Sequence, residues 1–177
     1  VEDQLDEGKD FENRSVSHPY EPGSVAKVVT AAAALQEGVT TPDEVHQVPG
    51  SIDMAGVTVN DAWEHGTEPY TTTGIFGKSS NVGTLMIADK LGQDLEQWSG
   101  GTFANLPIGQ GQSWTTLQMA SVYQALANGG ERIEPRIIDS VKGPDGKDEK
   151  LEEPEKNQVV SPETAKTTVD MFRAVFQ

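Results

Sequence analysis

Tyr20-Glu21-Pro22-Gly23-Ser24-Val25-Ala26-Lys27-Val28-Val29-Thr30-Ala31-Ala32-Ala33 places a hydroxyl and an amine three residues apart at the head of an alanine-rich run. Pro22-Gly23 reads as a turn. The alanines predict a helix from Ser24, and Gly38 fits its C′ position. Side chains at i and i+3 share one helix face. A serine hydroxyl is a poor nucleophile until a base takes its proton, and a lysine held neutral one turn on supplies such a base. Alone, the tetrad reads equally as an N-cap serine followed by a solvated lysine.

A second element follows at Lys78-Ser79-Ser80-Asn81. Ser79 offers a hydroxyl that relays a proton, and Asn81 an amide that both donates and accepts. A serine site that cleaves peptides needs a relay to the leaving amine and a polar clamp for the substrate backbone. The plainer reading is a turn between helices, where Ser and Asn are common.

Composition narrows the classes. The 177 residues carry 28 acids against 13 bases, a net charge of −15. Such a chain repels phosphate backbones, so nucleic acid is excluded as a partner. No basic cluster attracts anionic lipid, and the apolar run Val28 to Leu35 is too short to span a bilayer. With no cysteine, disulfides and thiolate chemistry are absent. His18, His46 and His65 lack paired ligand spacing, so neither metal nor cofactor is expected. Asp61, Glu64 and His65 read as a surface turn. Trp63, Trp98 and Trp114 read as core or groove wall. Gly74-Ile75-Phe76-Gly77-Lys78-Ser79 is a near miss for a phosphate loop, with Thr72 where the first glycine belongs.

The remaining elements follow from local signals. Val1 to Arg14 reads as an acidic loop, and Thr41-Pro42-Asp43-Glu44 as a helical turn. Val45 to Val59, with Pro49-Gly50 and Gly56, suggests short strands in a hairpin. Thr71 to Ser79 reads as a short helix or turn, and Asn81 to Lys90 as a helix stopped by Gly92. Leu106 to Gly111 reads as a glycine-punctuated loop. Thr115 caps a helix through Leu126, closed by Gly129-Gly130. Arg136 to Val141 reads as a strand, Gly143 to Gly146 as a turn and Lys147 to Lys156 as a charged loop. Ser161-Pro162-Glu163 opens a last helix. Helices mixed with short strands, without a βαβ rhythm, indicate an α+β fold.

Taken together, three segments resemble the transpeptidase domain of class B penicillin-binding proteins. They are Tyr20 to Ala33, Gly77-Lys78-Ser79-Ser80-Asn81-Val82-Gly83-Thr84, and Ala104-Asn105-Leu106-Pro107-Ile108-Gly109-Gln110-Gly111 with the helix after Thr115. The order of segments covers most of the chain from Arg14 onward. Ser-Ser-Asn departs from the Ser-Asp-Asn of class A β-lactamases. The resemblance implies the serine β-lactamase-like fold, an antiparallel sheet flanked by helices. It also implies a penicillin-sensitive D-Ala-D-Ala transpeptidase of septal wall synthesis. Ser24 would be the nucleophile, Lys27 its base and Ser79 the relay. Asn81 would clamp the substrate and hold Lys27, and the Ser24 N–H would form half of an oxyanion hole. Implied partners are peptidoglycan stem peptides, β-lactams and a division-machinery glycan polymerase. The implied location is the extracytoplasmic face of the cell membrane, with the anchor outside this chain. Two further readings stand beside it: a D-Ala-D-Ala carboxypeptidase or β-lactamase, and a non-catalytic penicillin-binding sensor or scaffold.

The sequence also departs from that pattern. It contains no Lys-Thr-Gly or Lys-Ser-Gly; Ala165-Lys166-Thr167-Thr168 lacks the glycine and falls within a predicted helix. The expectation is that residues 1–177 are part of one transpeptidase domain, without its opening strand and its Lys-Thr-Gly strand. A stretch is also expected to be absent between Asp94 and Leu95. Without the third motif this chain alone is expected to be incomplete as an enzyme.

Overall fold

A computed structural model describes residues 12–54, 56–92, 102–149 and 151–176. Val1 to Phe11, Trp98 and the Asp94–Leu95 junction lie outside them. The chain order is α1 (Arg14–Ser17), a 3-10 turn (Gly23–Ala26), α2 (Lys27–Gln36), β1 (Val45–Val48), β2 (Ser51–Met54), β3 (Val57–Asn60) and β4 (Glu68–Thr71). Then come α3 (Thr72–Gly77), α4 (Asn81–Asp89), α5 (Thr102–Asn105), a 3-10 turn (Leu106–Ile108) and α6 (Thr116–Ala127). β5 (Glu131–Ile133), β6 (Val141–Lys142), β7 (Asp148–Glu149), β8 (Lys156–Gln158), α7 (Pro162–Phe172) and a last 3-10 turn (Arg173–Phe176) complete it. Among the described residues the strands form four two-stranded antiparallel ladders: β1–β4, β2–β3, β5–β8 and β6–β7. The α+β expectation holds. No helix among the described residues is long and apolar enough to cross a membrane.

α2 is the centre of the fold because it is apolar on several sides, the pattern of an interior helix. Ala31 and Ala34 face one cluster with Val48, Tyr70, Ile75, Phe76, Val82, Ile87 and Met171. Val28 and Ala32 face a second cluster with Met119, Leu126 and Ala165. The alanines keep this helix thin, so α4 and α7 approach its backbone closely. Gly83 in α4 serves the same end, since a Cβ there would stand 2.7 Å from Ile75 Cγ2.

Caps set the helix boundaries as their residue types dictate. Thr115 and Gln118 form a reciprocal capping box on α6, and Ser161 with Pro162 starts α7. Lys166 and Thr167 lie inside α7. α3 covers Gly74 to Gly77, so no phosphate loop exists there.

Five readings are corrected. The helix begins as a 3-10 turn at Gly23, and α-helix starts only at Lys27. The 45–59 stretch yields the β2–β3 hairpin, but β1 pairs with β4 beyond it. Arg136 to Val141 is not a strand: Ile137 is 93% exposed and only Val141 enters a ladder. β-branched residues favour a strand only where a neighbour accepts their hydrogen bonds. Finally, Leu106–Ile108 is helical rather than open loop, and the charged 147–156 stretch contains β7 and runs into β8 at Lys156.

Candidate active site

The turn that presents Ser24 is clamped from both sides. Gly23 N–H donates to the Gly109 carbonyl at 2.9 Å, and Thr30 Oγ1 donates to the Pro107 carbonyl at 2.8 Å. Gly109 has φ +82°, and a Cβ there would lie 2.0 Å from the Gly23 carbonyl oxygen. Only glycine fits such a left-handed close approach. Tyr20 and Trp114 exchange two backbone hydrogen bonds at 2.8 and 3.0 Å, and Gly111 N–H donates to the Glu21 carboxylate. Trp114 is thus a wall of this turn, as read from sequence. Ser24 itself is exposed. Its N–H lies in the first helical turn, where N–H groups lack intrahelical acceptors and the helix dipole favours negative charge.

Lys27, one turn on, is 2% exposed. Its Nζ donates to the Ser79 carbonyl at 2.6 Å, to Asn81 Oδ1 at 2.7 Å and to Ser79 Oγ at 3.1 Å. Burial pulls its pKa down from 10.5 to about 8, and the negative charge of Asp61 opposes that shift. Roughly a tenth of such a lysine is neutral at pH 7, against a few ten-thousandths at its ordinary value. The 3.1 Å contact is reversible, because a hydroxyl donates or accepts. A neutral amine has a lone pair that can accept from Ser79 Oγ–H across the same distance.

Ser79 and Asn81 occupy the corner between α3 and α4. Ser79 has φ +58°, a left-handed conformation that costs a residue with a side chain about 1–2 kcal/mol. The corner is held by Ser80, fully buried, whose N–H donates to the Ile75 carbonyl at 2.9 Å. Ser80 Oγ in turn accepts from Gly83 N–H at 2.9 Å as the N-cap of α4.

Of the four residues expected in the site, Lys27, Ser79 and Asn81 are in direct contact. Ser24 is exposed on the same turn as Lys27, whose backbone N–H donates to the Ser24 carbonyl. Asp61, Glu64 and His65 are not all a surface turn: Glu64 is exposed, but the Asp61 and His65 side chains are 0% and 2% exposed. Asp61 Oδ1 accepts from the backbone N–H of Asn81 at 2.6 Å and of Val82 at 3.0 Å. Asn81 Nδ2 donates to the Asn60 carbonyl at 3.2 Å. The i, i+4 spacing of Asp61 and His65 was the sequence signal available for this pair. Gly109 carried a weaker one, as glycine in a glycine-punctuated segment.

The fold and this corner define a class of protein. The chain belongs to the penicillin binding protein transpeptidase domain family, which matches residues 2–96 and 94–177. It is 54% identical to penicillin-binding protein PbpB of Mycolicibacterium smegmatis, over 93% of this chain and 30% of that one. It is 50% identical to PbpB of Mycobacterium tuberculosis, over 96% of this chain and 29% of that one. The crystal structure of penicillin binding protein 3 from M. tuberculosis with aztreonam matches with a TM-score of 0.91 at 50% identity, covering 96% of this chain and 44% of that one. A peptidoglycan synthetase from Bifidobacterium adolescentis matches with a TM-score of 0.86 at 26% identity, covering 96% and 37%. The chain spans about 30% of the length of the PbpB relatives.

Proposed function

We propose that the full-length protein is a D-Ala-D-Ala transpeptidase that cross-links peptidoglycan stem peptides through an acyl-enzyme on Ser24. The contact of Lys27 with Ser79 and Asn81 carries the reading: a buried amine with a depressed pKa sits beside a hydroxyl relay and one turn from an exposed serine. Ser24 Oγ attacks the carbonyl carbon of the penultimate D-alanine while Lys27 takes its proton. The oxyanion is stabilised in part by the Ser24 N–H. The amide C–N bond breaks, the terminal D-alanine amine takes a proton through Ser79, and an ester remains on Ser24. An amine of a second stem peptide then attacks the ester, forms the cross-link and returns the proton to Ser24. Asn81 holds Lys27 and clamps the substrate backbone.

The chain is read as part of one transpeptidase domain, with a stretch absent between Asp94 and Leu95. The division of the family match into residues 2–96 and 94–177 supports this. A peptide running through Asp94-Leu95 in a digest of the full-length protein would contradict it. β-Lactams acylate Ser24 on this reading, in line with the aztreonam and ampicillin complexes of M. tuberculosis penicillin binding protein 3. The domain works on the extracytoplasmic face of the membrane, anchored by a segment outside this chain. A division-machinery glycan polymerase is its partner.

The test is fluorescent penicillin labelling of the full-length protein and of its Ser24→Ala variant, followed by product analysis with a D-Ala-D-Ala peptide and an acceptor amine. Labelling lost in the variant, with amide-linked product from the parent, supports the reading. Hydrolysis alone identifies a carboxypeptidase. Unchanged labelling in Ser24→Ala refutes the assignment.

A further inference from the structure

Asp61 is the most heavily used buried acid among the described residues that the reaction leaves without a role. It follows β3 directly, and its side chain is fully buried. Four donors converge on it. Oδ1 takes the backbone N–H groups of Asn81 at 2.6 Å and Val82 at 3.0 Å. Oδ2 takes Ser80 Oγ–H at 2.7 Å and His65 Nε2 at 3.1 Å. His65 Nδ1 is buried without a partner, so the Nε2–H tautomer, donating to Asp61, strands no proton. The same segment grips the other side of Ser79. Lys78 Nζ lies 5.5 Å from the Trp63 ring centre and 5.1 Å from that of Tyr70, and Trp63 stacks on His65 at 5.3 Å. The segment is itself pinned, because a Cβ on Gly50 would stand 2.2 Å from the His65 carbonyl oxygen.

Ser79, between these two grips, is the one described non-glycine residue with positive φ. A residue stays in such a region only when its surroundings over-determine it, and such outliers gather at functional sites. Its carbonyl and hydroxyl both meet Lys27, so its backbone conformation decides where Lys27 sits. Asn81 is fixed likewise: its N–H by Asp61, its Nδ2 by the Asn60 carbonyl, leaving Oδ1 turned to Lys27. A neutral serine already caps the start of α4, so the second, charged cap is more than helix stability requires.

We propose that Asp61 is a positioning residue for the acyl-transfer site assigned above, its carboxylate holding the Ser79–Asn81 corner, and through it Lys27, in the reacting arrangement. The proposal rests on that reading of Ser24 and Lys27. Asp61 also sets the charge environment of the base. Its negative charge raises the Lys27 pKa against the effect of burial. The other groups around it are the neutral Ser79 and Asn81, His65 behind Asp61, Lys78 turned onto the two rings, and Glu68, which accepts from the Tyr70 hydroxyl.

The experiment measures the rate of fluorescent penicillin acylation, per folded molecule, across pH in the full-length protein and its Asp61→Ala, Asp61→Asn and Ser24→Ala variants. Asp61→Ala is expected to acylate at least about 100-fold more slowly. Asp61→Asn keeps an oxygen for the two backbone N–H groups, and should stay within about 10-fold of the parent. Its rising pH limb should move to lower pH, because Lys27 loses the adjacent negative charge. If Asp61→Ala does not fold, the limb of Asp61→Asn decides. A role in stability alone would lower the melting temperature while leaving the rate per folded molecule and the limb unchanged, and that result overturns the proposal. Labelling that survives in Ser24→Ala refutes the reading of the site. Loss in Ser24→Ala with parental rates and limb in both Asp61 variants refutes the role of Asp61 alone.

Discussion

Lys27 Nζ lies 2.6 Å from the Ser79 carbonyl oxygen and 2.7 Å from Asn81 Oδ1, contacts that close loops of 52 and 54 residues onto one buried amine. The amine is placed by α2 and met by the α3–α4 corner, so its protonation governs the site on the function proposed above. Its pKa of about 8 has two consequences of known sign. Acylation of Ser24 should rise as pH climbs through about 8 and level off above it, as a base that must be neutral requires. A limb that continues past pH 10 would contradict a buried Lys27. Stability follows by linkage. Between about 8 and 10.5 the folded state binds fewer protons at Lys27 than the unfolded state, so this group's penalty is full below that window and is relieved as pH rises through it. Relative to Lys27→Met, the parent should therefore gain unfolding free energy from about pH 8 to about pH 10.5, measured by urea denaturation at each pH.

Ser79→Ala should keep the fold, because the carbonyl contact to Lys27 survives and the 2.6 Å bond needs no side chain. Loss of the hydroxyl relay should slow acyl transfer about 10²–10⁴-fold. Stopped-flow penicillin acylation with a parallel melting curve separates the two effects.

Gly109→Ala should be damaging out of proportion to its one added methyl. The new Cβ meets the Gly23 carbonyl at 2.0 Å, and the backbone there is left-handed at φ +82°. Strain of about 1–3 kcal/mol is expected, together with loss of Ser24 labelling as the turn is pushed outward. Wild-type labelling and stability would refute this close approach.

Ile75→Val removes one methylene from a fully buried side chain packed on Gly83 and α2. A cost of about 0.5–1.5 kcal/mol is expected in chemical denaturation, with acylation per folded molecule unchanged.

Lys166→Ala tests the Lys166-Thr167 resemblance to a third motif. Lys166 pairs with Asp170 one turn away, the lysine side chain 79% exposed. So exposed a pair, screened by solvent, contributes little to stability. Stability should change little, and penicillin labelling not at all.

Much of this architecture was legible as local chemistry. Ala31 to Ala34 specify a helix, and Thr115 and Ser161 with Pro162 specify two starts. Each is a contact within one helical turn, so it is written in consecutive residues. The misread segments depend on distant partners. Arg136 to Val141 has strand-forming residues, yet only Val141 enters a ladder among the described residues. β1 left its sequence neighbours for β4 because pairing across the β2–β3 hairpin buries Val48 and Tyr70.

The sequence by itself determined which groups were available: a serine and a lysine one turn apart, a Ser-Ser-Asn segment, and the glycines between them. Residue type and spacing along one helix suffice for that. Only the tertiary structure decided that Lys27 would be buried, that its amine would meet Ser79 and Asn81, and that Asp61 would be taken from an apparent surface turn into the core. Burial and hydrogen bonds across more than 50 residues are properties of packing, and packing sets the charge state of Lys27.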